Sequence, residues 1–305
     1  MPPPPIILIH RGDSFYLAHT IAQARSSNPE SRLILLGDSS NSFYLGVEHH
    51  RYEDYFAEAR KFANLFTYEY FPTYQYPWIL FCHQKYFALR DFVRAQKIDK
   101  FLLIDSDVMI YEPVAPYFEY YKSASMTLTS PAPGDTAFSA AAGFAIVNDT
   151  SIIDTLCDIY TRTFSQPCAA LSQQWGITLF NEMFGLYLLL SENPERVRNI
   201  FPTETHFVIN PSVIEDDRFE SQKRSLEILW VAGIPHFSIR ETGRRFKSPI
   251  IHFHGHAKQA ISAHLKLDRF SLKLHHALNR SLSATAKYPM RVVNCISGRG
   301  IFPGI

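Results

Sequence analysis

The sequence predicts an α/β fold: a mostly parallel central sheet with helices on both faces. Two short apolar runs, Ile6-Ile7-Leu8-Ile9 and Leu33-Ile34-Leu35-Leu36, flank an amphipathic stretch near the start of the chain. A long segment of helical period then feeds a third run, Phe101-Leu102-Leu103-Ile104. None of the three runs alternates, which marks strands covered on both sides, and strands interleaved with helices build parallel sheets. The third run ends in Asp105-Ser106-Asp107. Ligands of open α/β sheets sit beyond the carboxyl ends of strands. Carboxylates beside a buried strand are costly unless compensated, and a divalent cation with oxygen ligands compensates them; a polar turn closing the strand is the competing reading.

In chain order, Pro2 to Pro5 leads into the first strand, which ends at His10. Arg11-Gly12-Asp13-Ser14 turns the chain, with Asp13 or Ser14 placed to cap a helix carrying Leu17, Ile21 and Ala24 on one face. Asn28-Pro29 stops that helix, and Arg32 to Asp38 completes a β-α-β unit. Asp38 therefore falls on the same sheet edge as the loop after His10. Tyr52 to Phe66 reads as a helix, which the prolines at 72 and 77 prevent from continuing. Trp78 to Gln96 reads as one long helix through Phe81, Phe87 or Ala88, Phe92 and Ala95. Ser125 to Ser130 and Gly143 to Asn148 read as strands around the small-residue loop Pro131 to Ala142. A helix from Asn148 to Thr161 and a second from Leu171 to Leu190 follow, then short strands within 196 to 214 and a mixed polar stretch to 245. Ser248 to Lys258 reads as a strand ending in His252, His254, Gly255, His256 and Lys258, with a helix beginning near Lys258. No internal repeat or linker divides the chain, so the expectation is one domain over 1–265 and a basic C-terminal extension over 266–305.

Composition narrows the function. With 305 residues, 46% of them hydrophobic, the chain can bury a large core, and its net charge of +1 gives no argument for nucleic acid or a membrane surface as partner. No run reaches the roughly 18 apolar residues of a membrane span, and no signal peptide is evident, so no transmembrane segment is expected. Cys82, Cys157, Cys168 and Cys295 lack CxxC spacing, which points to a reducing, cytoplasmic setting.

The strand-borne Asp105-Ser106-Asp107, followed far downstream by His252, Gly255 and Lys258, resembles the GT-A nucleotide-sugar glycosyltransferases. The second motif fits the HxxGxxK pattern of glycosyltransferase family eight, the group of glycogenin and the bacterial lipooligosaccharide galactosyltransferases. The resemblance spans most of residues 6 to 260 and implies a GT-A (Rossmann-like) fold and sugar transfer from a nucleotide-sugar, UDP-linked above others, with retention. It implies that Asp105, Asp107 and His252 hold Mn2+, or Mg2+, against the donor diphosphate, which Lys258 and Gly255 contact. The loop after the first strand offers Asp13, Phe15 and Tyr16 to the base, and Ser106 falls inside the DxD turn. Lys85 lies near a donor-contacting arginine of the family, and an exposed helix lysine is the alternative. Asn181 and Glu182 fall beneath the donor sugar and acceptor, Glu182 serving as base or as sugar-binding group. Trp175 offers an acceptor platform or a core residue. The acceptor, whether glycan, lipid or protein, is open.

The usual Pro-Trp after the lysine is replaced by Gln259-Ala260, and His254 and His256 are extra. Residues two apart on a strand face the same way, so His254 is an alternative ligand, and His252, His254 and His256 together raise a zinc hydrolase as a rival. A nucleotidyltransferase would carry a glycine-rich, arginine-bearing loop after the first strand, which Arg11-Gly12-Asp13 does not supply. A non-catalytic carbohydrate-binding protein on the same fold is the remaining rival.

Overall fold

The computed structural model describes residues 2–130, 140–200, 221–222, 225–253 and 255–267. The first strand, β1 (Ile6–Ile9), leads through a loop into α1 (Leu17–Ser27), and β2 (Leu33–Gly37) returns parallel beside β1. A polar edge strand, β3 (Glu48–Arg51), adds parallel to β2. The segment read as one helix from Tyr52 to Phe66 is instead a 3-10 turn (Tyr52–Tyr55) and a short α2 (Ala57–Phe62). The long helix α3 (Tyr76–Ala95) starts with Pro77 in its first turn, where the missing N–H costs nothing, and feeds β4 (Phe101–Ile104).

At Asp105 the chain turns, Val108 donating to the Asp105 carbonyl at 3.1 Å, and resumes as β5 (Val108–Ile110). Then follow α4 (Ala115–Tyr120), β6 (Met126–Leu128), β7 (Phe144–Val147) and α5 (Ser151–Phe164), the start of α5 held by Asp149, whose carboxylate accepts the Ser151 N–H. The helix expected from Leu171 to Leu190 is two: α6 (Cys168–Trp175), ended by Gly176 at a positive φ of 68°, and α7 (Glu182–Glu192), begun by Asn181. The positive φ is a conformation that glycine takes without steric cost and that closes a helix. Strand β8 (Val197–Asn199) follows; the rest of the strands expected before 214 fall within 201–220, outside the described residues. A short pair, β9 (Ser221–Gln222) and β10 (Ser225–Leu226), precedes a three-stranded antiparallel unit of β11 (Leu229–Val231), β12 (Ile234–Ser238) and β13 (Arg245–Lys247). Last come β14 (Ile250–His252) and a 3-10 helix (Gly255–His264) in place of the α-helix expected near Lys258. The C-terminal extension falls, from 268 on, outside the described residues.

The seven-stranded sheet has the order β3-β2-β1-β4-β7-β6-β8, parallel except where β7 runs against β4 and β6. Its covering on both faces follows from the unbroken apolar strands. Ile7, Ile9, Phe101 and Leu103 pack under α2, α3, α5 and α7, while Ile6, Leu8, Leu102 and Ile104 pack against α1 and α4. Full burial of each such side chain contributes about 1.5–3 kcal/mol, so the strands that carry the site are its most rigid support. A third cluster joins Met109 of β5 and Ile251 of β14 to Phe237 and Phe246 of the three-stranded unit. Among the described residues no helix is long and apolar enough to cross a membrane.

Candidate metal and donor site

Two strand pairings assemble the site. β4 places Asp105 beside the start of β7, its N–H donating to the Gly143 carbonyl at 2.9 Å. Antiparallel pairing of β5 with β14 sets His252 opposite Val108, and the Phe253 N–H donates to the Asp107 carbonyl at 2.9 Å. The far downstream histidine is thereby brought against the aspartate turn. His252 Nε2 lies 3.1 Å from Asp107 Oδ1, and Lys258 Nζ lies 2.9 Å from Asp107 Oδ2. Gly255, at φ +57°, turns the chain from β14 into the 3-10 helix that returns Lys258 to this point. One metal-ligand atom each from Asp105, Asp107 and His252 lie within 4.8 Å of one another.

Bonds of about 2.0–2.2 Å to one ion put adjacent ligand atoms about 3 Å apart and opposite ones just over 4 Å. The three side chains fit that spacing with small movements. Gly143 leaves the room: a Cβ there would stand 3.0 Å from the His252 ring and 3.3 Å from Asp105 Oδ2.

Electrostatics tighten the cluster. Burial alone would raise the Asp107 carboxyl, yet the hydrogen bond and charge of His252, with Lys258, hold it far below the usual carboxylate range. Burial opposes charge on His252, and Asp107 outweighs it, raising the imidazole above its ordinary value. Lys258 is raised in the same way. On the other side Lys85 Nζ lies 3.0 Å from Asp105 Oδ1 with only 11% of its side chain exposed. Burial disfavours the Lys85 charge, but Asp105 above all restores it well above the ordinary lysine value. The exposed-helix reading of Lys85 is thus corrected. Glu182 is pushed up by burial, against the pull of Lys85.

These groups line a cavity of about 720 Å³ together with Ser106, Gly255 and Tyr16. Lys258 Nζ sits 4.9 Å from the Tyr16 ring centroid, a cation–π contact. The Ser106 hydroxyl is bonded to His10 Nδ1 at 2.8 Å, and His10 Nε2 to Ser14 Oγ at 3.0 Å. Thr20 donates to the Ser106 carbonyl at 2.7 Å, so the aspartate turn is pinned from behind.

Four expected residues stand apart from the cavity among the described residues. Asp13 accepts a hydrogen bond from Tyr44 OH at 2.7 Å and caps no helix; α1 begins at Leu17 without a side-chain cap. Phe15 is 57% exposed and meets Tyr16 edge-on. Asn181 caps α7 by accepting the Met183 N–H at 3.1 Å, which holds Glu182 at the first turn. Trp175, partly buried, packs edge-on against Phe184 and Tyr187 at the margin of the core. His254 lies outside the described residues, and with it the three-histidine arrangement.

The sequence reading missed His10, Arg11, Gly12, Gly143, Trp78, Phe81 and Cys82 as cavity residues. For Trp78, Phe81, Cys82 and Lys85 a signal existed, since their spacing puts them on one helix face. For Gly143 none did, because its importance comes from a close approach of distant segments.

No protein-family model matches the chain, and no curated protein matches it. Solved structures do. The apo form of mouse xyloside xylosyltransferase 1 matches with a TM-score of 0.50 at 11% identity, over 68% of this chain and 87% of that one. A glycosyltransferase involved in glycosylation of the major capsid of PBCV-1 matches with a TM-score of 0.40 at 13% identity, over 69% and 86%. The first likeness shows a shared fold. With the seven-stranded sheet, it bears out the expected α/β architecture, a mostly parallel central sheet covered by helices.

Proposed function

We propose that residues 1–265 form a metal-dependent glycosyltransferase domain that moves a sugar from a nucleotide-sugar, UDP-linked above others, to an acceptor with retention. The observation that carries this reading is the meeting of Asp105, Asp107 and His252 in the wall of a cavity that also receives Lys85, Lys258 and Glu182. Two carboxylates and one imidazole favour manganese over calcium, with magnesium as a substitute. The ion, when bound, would supply positive charge to the diphosphate as the sugar departs.

The chain's own residues do the rest. Lys258, held between Asp107 and the Tyr16 ring, is fixed where leaving-group charge develops, and a preorganised cation there stabilises the transition state. Glu182, raised by burial, faces Lys85 and Asp105 and offers a carboxyl to the hydroxyls of the transferred sugar. Buried Cys82 and Cys157 are free, in keeping with a cytoplasmic setting.

A screen of UDP-, GDP- and dTDP-sugars with manganese tests the reading. One UDP-sugar is expected to release UDP, EDTA to stop the release and added manganese to restore it. Release untouched by EDTA, or none from any donor, overturns the assignment. Gly143→Ala is expected to weaken manganese binding about tenfold by crowding His252 and Asp105. The melting temperature should shift by no more than about 2–4 °C. Calorimetric titration beside thermal denaturation checks both, and unchanged affinity would show that the ring and carboxylate yield freely.

A further inference from the structure

Helix α3 runs up one wall of the cavity and lines it at steps of three and four residues with Trp78, then Phe81 and Cys82, then Lys85 and Tyr86. Lys85 stands at the floor against Asp105. Trp78, two turns earlier, stands about 10 Å higher along the helix axis. The wall is therefore charged at its base and aromatic at its mouth. Phe81, one turn below Trp78, is buried, whereas Trp78 is 60% exposed.

The other two tryptophans are engaged by neighbouring rings: Trp175 by Phe184 and Tyr187, Trp230 by Tyr111 and His264. Among the described residues Trp78 makes no such contact. Arg11 lies 5.7 Å from the ring centroid of Phe81, one helical turn from Trp78, and lines the same cavity, offering hydrogen-bond donors to whatever rests on that wall. A flat apolar face flanked by donors suits a ring that is apolar on one face and hydroxylated at its rim. A pyranose is such a ring. A lipid chain offers the exposed guanidinium no acceptor, and an amino-acid hydroxyl leaves the indole bare.

Resting on the transferase reading above, we propose that Trp78 is the stacking platform for the acceptor, which makes the acceptor a pyranoside. The two-turn spacing from Lys85 sets the acceptor ring at the cavity mouth and leaves the floor to the donor.

The test uses the full chain with manganese, the UDP-sugar selected by the screen, and methyl glucoside, galactoside and xyloside as acceptor probes. Trp78→Ala is expected to raise the acceptor KM by at least about tenfold, as truncation of an anchoring aromatic does. Donor KM and the rate of donor hydrolysis should stay within about twofold, because the loss is one of binding at the acceptor subsite alone. Trp78→Phe, which keeps an aromatic face, is expected to restore acceptor use. An unchanged acceptor KM in Trp78→Ala, or a donor KM that rises equally, overturns the platform. Absence of donor hydrolysis in the wild type would instead count against the transferase reading. In that event, saturable fluorescence quenching by the methyl glycosides, lost in Trp78→Phe, supports the platform by itself. A wild type that neither uses nor binds any of the glycosides overturns it.

Discussion

Asp107→Asn is expected to lower sugar transfer by about a thousandfold or more, the scale seen when a fixed charge-stabilising group is removed from a transition state. The substitution keeps the volume of the side chain and removes the charge that His252 and Lys258 both face. Manganese affinity should fall with activity, and titration calorimetry beside a donor-hydrolysis assay reads the two together. Stability falls as well, which the sequence alone does not suggest. Asp107 is 5% exposed, so its loss takes away the carboxylate that bonds both His252 and Lys258 and leaves Asp105 as the acidic group near them. The part-exposed Lys258 can turn toward water, which limits the cost to about 1–3 kcal/mol. Wild-type transfer in a folded Asp107→Asn protein would remove the central support for the metal role.

The second large effect is expected at Lys85. Lys85→Met retains most of the side-chain length and apolar stem but leaves Asp105 and Glu182 facing each other with no cation between them. The Glu182 pKa should rise further, since Lys85 is the group that pulls it down. The turnover number is expected to drop about a hundredfold or more, while manganese binding holds, because Lys85 takes Asp105 Oδ1 and Oδ2, on the Gly143 and His252 side, stays open to a metal. The diagnostic is this split between turnover and metal affinity. Equal loss of both would make Lys85 a scaffold residue, and loss of neither would make it a bystander.

Much of the fold was legible because β1, β2 and β4 are buried on both faces and so read as plain apolar runs. Edge strand β3, Glu48-His49-His50-Arg51, has no such signature. It is a strand because its backbone pairs with β2 and because His50 lies on Phe92, with ring centroids 5.0 Å apart. The break between α6 and α7 was written in Gly176 and Asn181, but apolar residues on either side kept the helical period running across it. At the site, the aspartates, His252 and Lys258 were legible as a motif carried by strand ends. Asp13 and Asn181 serve the fold, one accepting from Tyr44 and the other capping α7, because short polar side chains take hydrogen bonds within the protein as readily as they take ligands. Gly143 and Trp78 acquire meaning only once the sheet order and the cavity are known.

The pairing of β14 with β5 has a consequence for biosynthesis. Synthesis proceeds from the amino end, and the strands from β1 to β8 emerge well before His252 and Lys258 leave the ribosome. A nascent chain can therefore possess its sheet while Asp105 and Asp107 still lack His252 and Lys258. The cluster closes late, when one three-residue strand docks against the aspartate turn.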